Sequence, residues 1–130
     1  ELDDMLQQSD FIVVAVDLNA ESKQLIGAEQ FDLMQKHAVF VNIARGSVVD
    51  EHALIEALQN NKIFAAGVDV YVREPLQSSA LFELPNIVTT PHIGSATAQT
   101  RKKMAQLAYQ NLVDALENKT PRYLVNPNFK

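Results

Sequence analysis

Short apolar runs alternate along the chain with segments of helical periodicity. The apolar runs cover residues 11–16, 38–42 and 64–70, and a shorter run covers 87–89. Near-continuous runs of this length, rich in β-branched residues, are typical of strands buried in a parallel sheet. The sequence therefore predicts four strands.

Between the runs, apolar residues recur at the three and four position spacing of helices. This spacing predicts a helix before Ser9, one near Phe31, one after Asp50 and a long one after Ser95. Asp50 is a typical N-cap residue. We expect one face of the long helix to be buried, through Met104, Leu107, Ala108, Leu112, Ala115 and Leu116. The segment from Lys119 onward contains two prolines and predicts an extended tail.

Alternation of strands and helices predicts an α/β fold with a parallel sheet covered on both faces. The chain has 130 residues, of which 47% are hydrophobic, and this is enough for one compact core. It starts with Glu1 and enters an amphipathic segment at once, so we expect it to be a piece of a larger protein.

Charge and composition narrow the function. Eleven Lys and Arg against sixteen Asp and Glu give a net charge of -5, which disfavours binding to nucleic acid or to anionic membranes. The chain has no cysteine, in keeping with a reducing compartment, and its longest apolar run is too short to span a bilayer. We expect a cytoplasmic protein without disulfide bonds or a membrane anchor.

Polar and ionisable side chains follow each predicted strand. Arg45 follows the second strand, Asp69 and Glu74 follow the third, and His92 follows the fourth. Ligands of parallel sheets bind at the carboxyl ends of the strands, where these loops meet. A cation, two carboxylates and an imidazole at one edge predict an acid/base site with an anion clamp.

Each of these residues also has a structural interpretation. Arg45 could be an ordinary loop arginine paired with Asp50, Asp69 could bond to a neighbouring loop, and Glu74 could be a solvated acid. The functional interpretation is that the planar guanidinium of Arg45 binds a carboxylate through two hydrogen bonds. We expect the adjacent Gly46 to allow a turn of the backbone.

His92 is the strongest catalytic candidate because it lies between Pro91 and Gly94 at the entrance to a helix. A fixed imidazole beside a carboxylate can transfer a proton near neutral pH. His37 and His52 have no such setting and are interpreted as surface residues. The three histidines show no metal-ligand spacing, so we expect no metal site.

Three segments resemble the D-isomer-specific 2-hydroxyacid dehydrogenases. They are residues 42–51 (NIARGSVVDE), 66–76 (AGVDVYVREPL) and 91–97 (PHIGSAT). The last is most similar to the glyoxylate/hydroxypyruvate reductase branch. The resemblance implies a Rossmann-like, doubly wound parallel sheet with a long C-terminal helix. It also implies hydride transfer between NAD or NADP and a small 2-keto or 2-hydroxy acid, and a homodimer of the complete protein.

The resemblance also implies roles for individual residues. Arg45 would bind the substrate carboxylate and polarise the keto oxygen, His92 would donate the proton in reduction, and Glu74 would hydrogen-bond His92 and keep it protonated. The positions that match cofactor contacts in the family are Val16, Ile43, Ala44, Asp69, His92, Gly94 and Ser95. Residues 1–95 would form the C-terminal half of a dinucleotide-binding domain, and residues 96–130 a helix and tail packed against a substrate domain.

This sequence departs from the family pattern at two places. Asp17 and Asn19 stand where the family usually has proline and threonine, and Asp17 would bring a negative charge near the cofactor. The phosphate-binding GxGxxG turn, whose segment also carries the residue that chooses between NAD and NADP, does not occur in the 130 residues. We therefore expect the 130-residue chain alone to bind cofactor poorly and to have no turnover.

Two alternative functions remain open on the same fold. One is a cofactor-sensing protein without catalysis, as in the corepressor branch of the family, and the other is formate oxidation. The presence of Arg45, Glu74 and His92 together favours an enzyme over a cofactor-sensing protein.

Overall fold

The computed structural model describes residues 1–75 and 77–126, and in this part of the chain four parallel strands form one sheet. The strands are β1 (Phe11–Val14), β2 (Val39–Asn42), β3 (Ala65–Val68) and β4 (Ile87–Thr89), and they lie side by side in chain order. All three pairings are parallel. The predicted α/β class and the four strands are confirmed, although β1, β2 and β3 are shorter than their apolar runs.

The helices of the described residues are α1 (Leu2–Gln8), α2 (Ala28–Leu33), α3 (Glu51–Gln59) and α4 (Ala98–Leu116). Short 3₁₀ turns cover Gly46–Val48 and Ala80–Glu83. Asp50 caps α3 as predicted, because its side chain accepts the backbone N–H groups of His52 and Ala53. The cap satisfies donors that the first turn of a helix leaves unpaired.

The hydrophobic core lies on one face of the sheet. Alternate strand residues such as Ile12, Phe40 and Val68 point into it and are buried. α1 contributes Leu6, α2 contributes Phe31, and α3 contributes the buried set Ala53, Leu54, Ala57 and Leu58. The rings of Phe31 and Phe40 meet edge to face with centroids 5.2 Å apart.

The second face of the sheet differs from the expectation that both faces are covered. Phe11 and Val13 of β1 and Val88 of β4 are exposed on the strands, as is Phe64 just before β3. In a strand, neighbouring side chains point to opposite faces, and the packed helices bury only one set. An apolar run therefore identified the strands, but it did not show which part of the chain covers each face.

The chain divides into two compact units, Glu1–His92 and a second that begins at Ile93. α4 belongs to the second unit and begins at the predicted place, with Thr97 as its N-cap. The expectation that one of its faces is buried is wrong for this chain, because none of its residues is buried. Within residues 1–75 and 77–126, every helix is too short or too polar to span a bilayer.

Candidate active site at the carboxyl ends of the strands

The loop after β2 carries Arg45 and is held by the buried side chain of Asn42. The Asn42 amide nitrogen donates to the carbonyl oxygen of Arg45 (3.2 Å), and its Oδ1 accepts the N–H of Ala44 (3.1 Å). The Arg45 guanidinium donates to the Ala44 carbonyl oxygen (2.7 Å). Because Asn42 is bonded at both ends of its amide, it fixes the backbone from which the exposed Arg45 side chain extends.

Gly46, the next residue, lies against the loop that follows β3. A Cβ atom at Gly46 would be 2.0 Å from the carbonyl carbon of Tyr71 and 2.3 Å from the nitrogen of Val72. Its backbone is not in the left-handed region, so close approach of two backbone segments, and not the turn expected from the sequence, is the reason for glycine here. The contact places the Arg45 loop directly beside the segment that leads to Glu74.

Asp69 follows β3 and is bonded to the end of β4. The Thr90 hydroxyl donates to Asp69 Oδ1 (2.5 Å), and the Asp69 N–H donates to the carbonyl oxygen of Asn42 (3.1 Å). A half-buried carboxylate in this position needs such partners, because its desolvation would otherwise cost several kcal/mol. Asp69 thus joins the ends of three neighbouring strands.

Glu74 and His92 form a hydrogen-bonded pair. His92 Nδ1 lies 2.6 Å from Glu74 Oε2, and the other carboxylate oxygen accepts the N–H of Tyr71 at 2.9 Å. The hydrogen bond from His92, above all, lowers the pKa of Glu74, and the Tyr71 N–H and the positive charge of Arg45 act in the same direction. Glu74 is therefore an ionised acceptor at neutral pH, and His92 Nε2 is the ring nitrogen that does not face Glu74.

The backbone of His92 has a positive φ of 52°. Non-glycine residues seldom adopt this conformation, and it persists where the surroundings hold it. Here the His92 N–H donates to the carbonyl oxygen of Thr90 (3.1 Å), which also accepts the Tyr71 hydroxyl (2.9 Å). The direction in which the imidazole leaves the chain is set by these bonds.

Two clefts open at this edge of the sheet. One, of about 550 Å³, is lined by residues 15–18 after β1 and by Ile43, Ala44 and Arg45 after β2. The other, of about 480 Å³, is lined by residues that include Tyr71, Glu74, Phe82 and His92. The two clefts are neighbours, because Gly46, next to Arg45 of the first cleft, contacts the peptide group of Tyr71 of the second.

The structure brings most of the predicted site residues to one edge. Arg45, Glu74 and His92 all follow the carboxyl ends of adjacent parallel strands. Val16, Ile43 and Ala44 line the cleft of Arg45, and Asp69 lies at the end of β3. Gly94 and Ser95 belong to the second unit.

Three residues with a place in this network received no role from the sequence. Asn42 could have been identified from the sequence, since it is a polar residue at the end of an apolar strand. Tyr71 and Thr90 could not, because an aromatic residue or a threonine next to a strand is more often part of the packing.

In the described residues, no group of three or more His, Cys, Asp or Glu could hold a metal ion.

Comparison with known proteins agrees with the geometry. Residues 1–94 match the model of the D-isomer-specific 2-hydroxyacid dehydrogenase family, NAD-binding domain. Glyoxylate/hydroxypyruvate reductase B of Salmonella newport is 51% identical over 128 residues, which are 98% of this chain and 40% of the relative. The chain thus spans less than half the length of this curated relative.

Solved structures give the same result. The NADPH-dependent glyoxylate/hydroxypyruvate reductase of Sinorhizobium meliloti, in complex with NADP and malonate, superposes with a TM-score of 0.84 at 36% identity, over 88% of this chain and 36% of that one. D-lactate dehydrogenase of Lactobacillus jensenii with NAD⁺ gives a TM-score of 0.86 at 28% identity, over 96% and 42%. The chain belongs to the D-isomer-specific 2-hydroxyacid dehydrogenase family.

Proposed function

We propose that the full-length protein is an NAD(P)-dependent oxidoreductase that reduces a small 2-keto acid, such as glyoxylate or hydroxypyruvate, to the D-2-hydroxy acid. The observation that carries the proposal is the hydrogen-bonded Glu74 and His92 pair at the sheet edge that also carries Arg45. The 51% identity to a glyoxylate/hydroxypyruvate reductase supports this substrate class.

Arg45 is the proposed substrate anchor. Its guanidinium is exposed in a cleft and its backbone is fixed by Asn42. It can therefore form two hydrogen bonds with a carboxylate without rearrangement of the loop. In a 2-keto acid anchored in this way, the keto oxygen adjacent to the carboxylate would gain its negative charge close to the same guanidinium. Arg45 therefore both orients the substrate and stabilises the developing charge.

His92 is the proposed proton donor. With Nδ1 bonded to the ionised Glu74, the protonated ring presents its Nε2–H to the substrate. NAD(P)H, when bound, would supply the hydride that the keto carbon receives. His92 would give its Nε2 proton to the keto oxygen, so that the carbonyl becomes a secondary or primary alcohol. In the oxidative direction, His92 takes the proton back from the hydroxyl group.

The cleft beside Arg45 fits one part of a dinucleotide. Val16 and Ile43 present exposed apolar side chains there, and these can pack against the flat face of a nicotinamide. Ala44, Asp69, His92, Gly94 and Ser95 complete the proposed cofactor contacts. Asp17 also lines the cleft, which supports a negative charge near this part of the cofactor.

We also propose the larger organisation that the family resemblance implies. Residues 1–95 form the C-terminal half of the dinucleotide-binding domain, and 96–130 pack against a substrate domain. The exposed apolar side chains of α4, among them Leu107, Leu112 and Leu116, support a packing role. The full-length protein is proposed to be a cytoplasmic homodimer, which sedimentation equilibrium and cell fractionation test.

The decisive experiment measures NAD(P)H oxidation by the full-length protein with a panel of 2-keto acids, with formate and NAD(P)⁺ as a separate arm. Wild type is expected to turn over glyoxylate or hydroxypyruvate, whereas Arg45→Ala and His92→Ala are expected to be nearly inactive. If wild type and variants are equally inert while the cofactor still binds, the protein is a cofactor sensor. Turnover of formate alone would also overturn the proposal.

A further inference from the structure

Tyr71 contacts the surroundings of all three proposed catalytic side chains. Its peptide group packs against Gly46, the neighbour of Arg45, closely enough to exclude a Cβ atom there. Its N–H donates to Glu74 Oε1 (2.9 Å). Its hydroxyl donates to the carbonyl oxygen of Thr90 (2.9 Å), two residues before His92.

The hydroxyl contact bears most directly on His92. The same Thr90 carbonyl oxygen accepts the His92 N–H (3.1 Å), and His92 has the left-handed backbone conformation. An acceptor that is held from a second side has less freedom to move, so the bond from Tyr71 also restrains the bond that fixes His92. The Thr90 side chain is in turn bonded to Asp69, at the end of β3.

Tyr71 is suited to a fixed role because it is buried and stays neutral. Burial, above all, raises its pKa. A side-chain hydrogen bond with Thr89 acts against this, and the nearby carboxylates of Asp69, Glu74 and Glu51 act in the same direction as burial. Its hydroxyl therefore keeps its proton, and with it its donor function, throughout the pH range in which His92 would act.

We propose that Tyr71 is a positioning residue that sets the relative geometry of Arg45, Glu74 and His92. The proposal deepens the proposed function and rests on it for its kinetic consequence. Tyr71 reaches the Arg45 loop and Glu74 through its backbone, and His92 through its hydroxyl. Only the hydroxyl contact can be removed without disturbing the other two, since phenylalanine retains the ring and the peptide group.

The experiment compares full-length wild type, Tyr71→Phe and the control Ser9→Ala, which also removes a hydroxyl that donates to a backbone carbonyl oxygen, that of Met5 in α1 (2.7 Å). Steady-state kinetics with glyoxylate are expected to show a kcat about three- to tenfold lower in Tyr71→Phe, the effect of one lost hydrogen bond. The KM values for cofactor and keto acid are expected to stay close to those of wild type. Ser9→Ala is expected to match wild type.

A second readout does not depend on activity. In ¹H–¹⁵N spectra of the imidazole groups, the Nδ1–H of His92 bonded to Glu74 is expected downfield in wild type and in Ser9→Ala. In Tyr71→Phe this signal is expected to move upfield or to broaden, since the ring is held less firmly. A merely structural tyrosine would lower thermal stability without changing the signal or the kcat.

The two readouts separate the possible failures. A Tyr71→Phe variant with unchanged kcat and an unchanged His92 signal overturns the positioning role. If wild type lacks reductase activity but the His92 signal responds to Tyr71→Phe, the proposed function fails and the positioning of the pair stands. If activity is present in wild type and is lost through KM alone, Tyr71 acts in binding and the proposal is wrong.

Discussion

Among residues 1–75 and 77–126, two histidine and carboxylate pairs of nearly equal length lie at opposite ends of the sheet. His92 and Glu74 are 2.6 Å apart at the carboxyl ends of the strands. His37 and Asp10 are 2.7 Å apart, next to the amino ends of β2 and β1. Distance alone does not distinguish the two.

Their surroundings do. The side chains of His37 and Asp10 are 66% and 67% exposed, against 43% and 35% for His92 and Glu74. Glu74 has a second bond, from the Tyr71 N–H, and a lowered pKa. His92 has a restrained backbone and a cleft in front of it. A highly exposed pair such as His37 and Asp10 contributes little to stability. The restrained pair of His92 and Glu74 can direct a proton to a bound molecule.

The largest effect is expected from removing each histidine in turn. His92→Gln in the full-length protein is expected to lower kcat for 2-keto acid reduction by about 10²–10⁴, the contribution of a positioned general acid. His37→Gln removes an imidazole at a similar distance from a carboxylate and is expected to leave kcat unchanged. Equal losses in the two variants, or no loss in His92→Gln, would show that the surroundings do not distinguish the pairs.

A smaller effect is expected from adding a Cβ atom at Gly46, where the Arg45 loop contacts the peptide group of Tyr71. Gly46→Ala forces the Arg45 loop away from the Tyr71 peptide group, because the new Cβ would lie 2.0 Å from its carbonyl carbon. We expect a loss of roughly 1–3 kcal/mol in the free energy of unfolding, measured by chemical denaturation, together with a lower kcat.

Gly27→Ala is the matched control for this substitution. Its Cβ would meet only the flexible Gln30 side chain, at 3.6 Å, and the expected loss is at most about 1 kcal/mol for the change at a helix N-cap. Equal losses in the two variants would mean that the close approach at Gly46 has no special importance.

The smallest effect concerns the pH dependence of stability. The folded-state pKa of Glu74 is lowered, so its bonds stabilise the fold fully above the ordinary value of 4.5, and the contribution is lost as the pH falls through the lowered pKa. The difference in Tm between wild type and Glu74→Gln is therefore expected to be larger at neutral pH than in acid. A difference that is constant with pH would argue against an ionised, bonded Glu74.

Much of the fold and the site follows from the sequence for a simple reason. Parallel strands bring their carboxyl ends together, so polar residues after each apolar run, such as Arg45 and His92, had to meet at one edge. The capping of α3 by Asp50 followed from local chemistry alone. These inferences need only the periodicity and the order of the chain.

The remainder depends on contacts between distant segments. The need for glycine at position 46 comes from the approach of Tyr71, which is 25 positions away, and no local pattern records it. The roles of Tyr71 and Thr90 arise from a backbone carbonyl, which carries no side-chain signal. The uncovered face of the sheet and the exposed apolar side chains of α4 could not be predicted either, because an apolar residue does not specify what covers it.

Whether Arg45, Glu74 and His92 act on one substrate can be seen in a crystal structure of the full-length protein with bound cofactor and oxamate, an unreactive analogue of a 2-keto acid. We expect two guanidinium nitrogens of Arg45 on the oxamate carboxylate and His92 Nε2 within about 2.6–3.2 Å of its amide oxygen. Glu74 is expected to remain on His92 Nδ1. An oxamate molecule that contacts Arg45 without His92, or neither of them, would show that these side chains do not act together on one substrate.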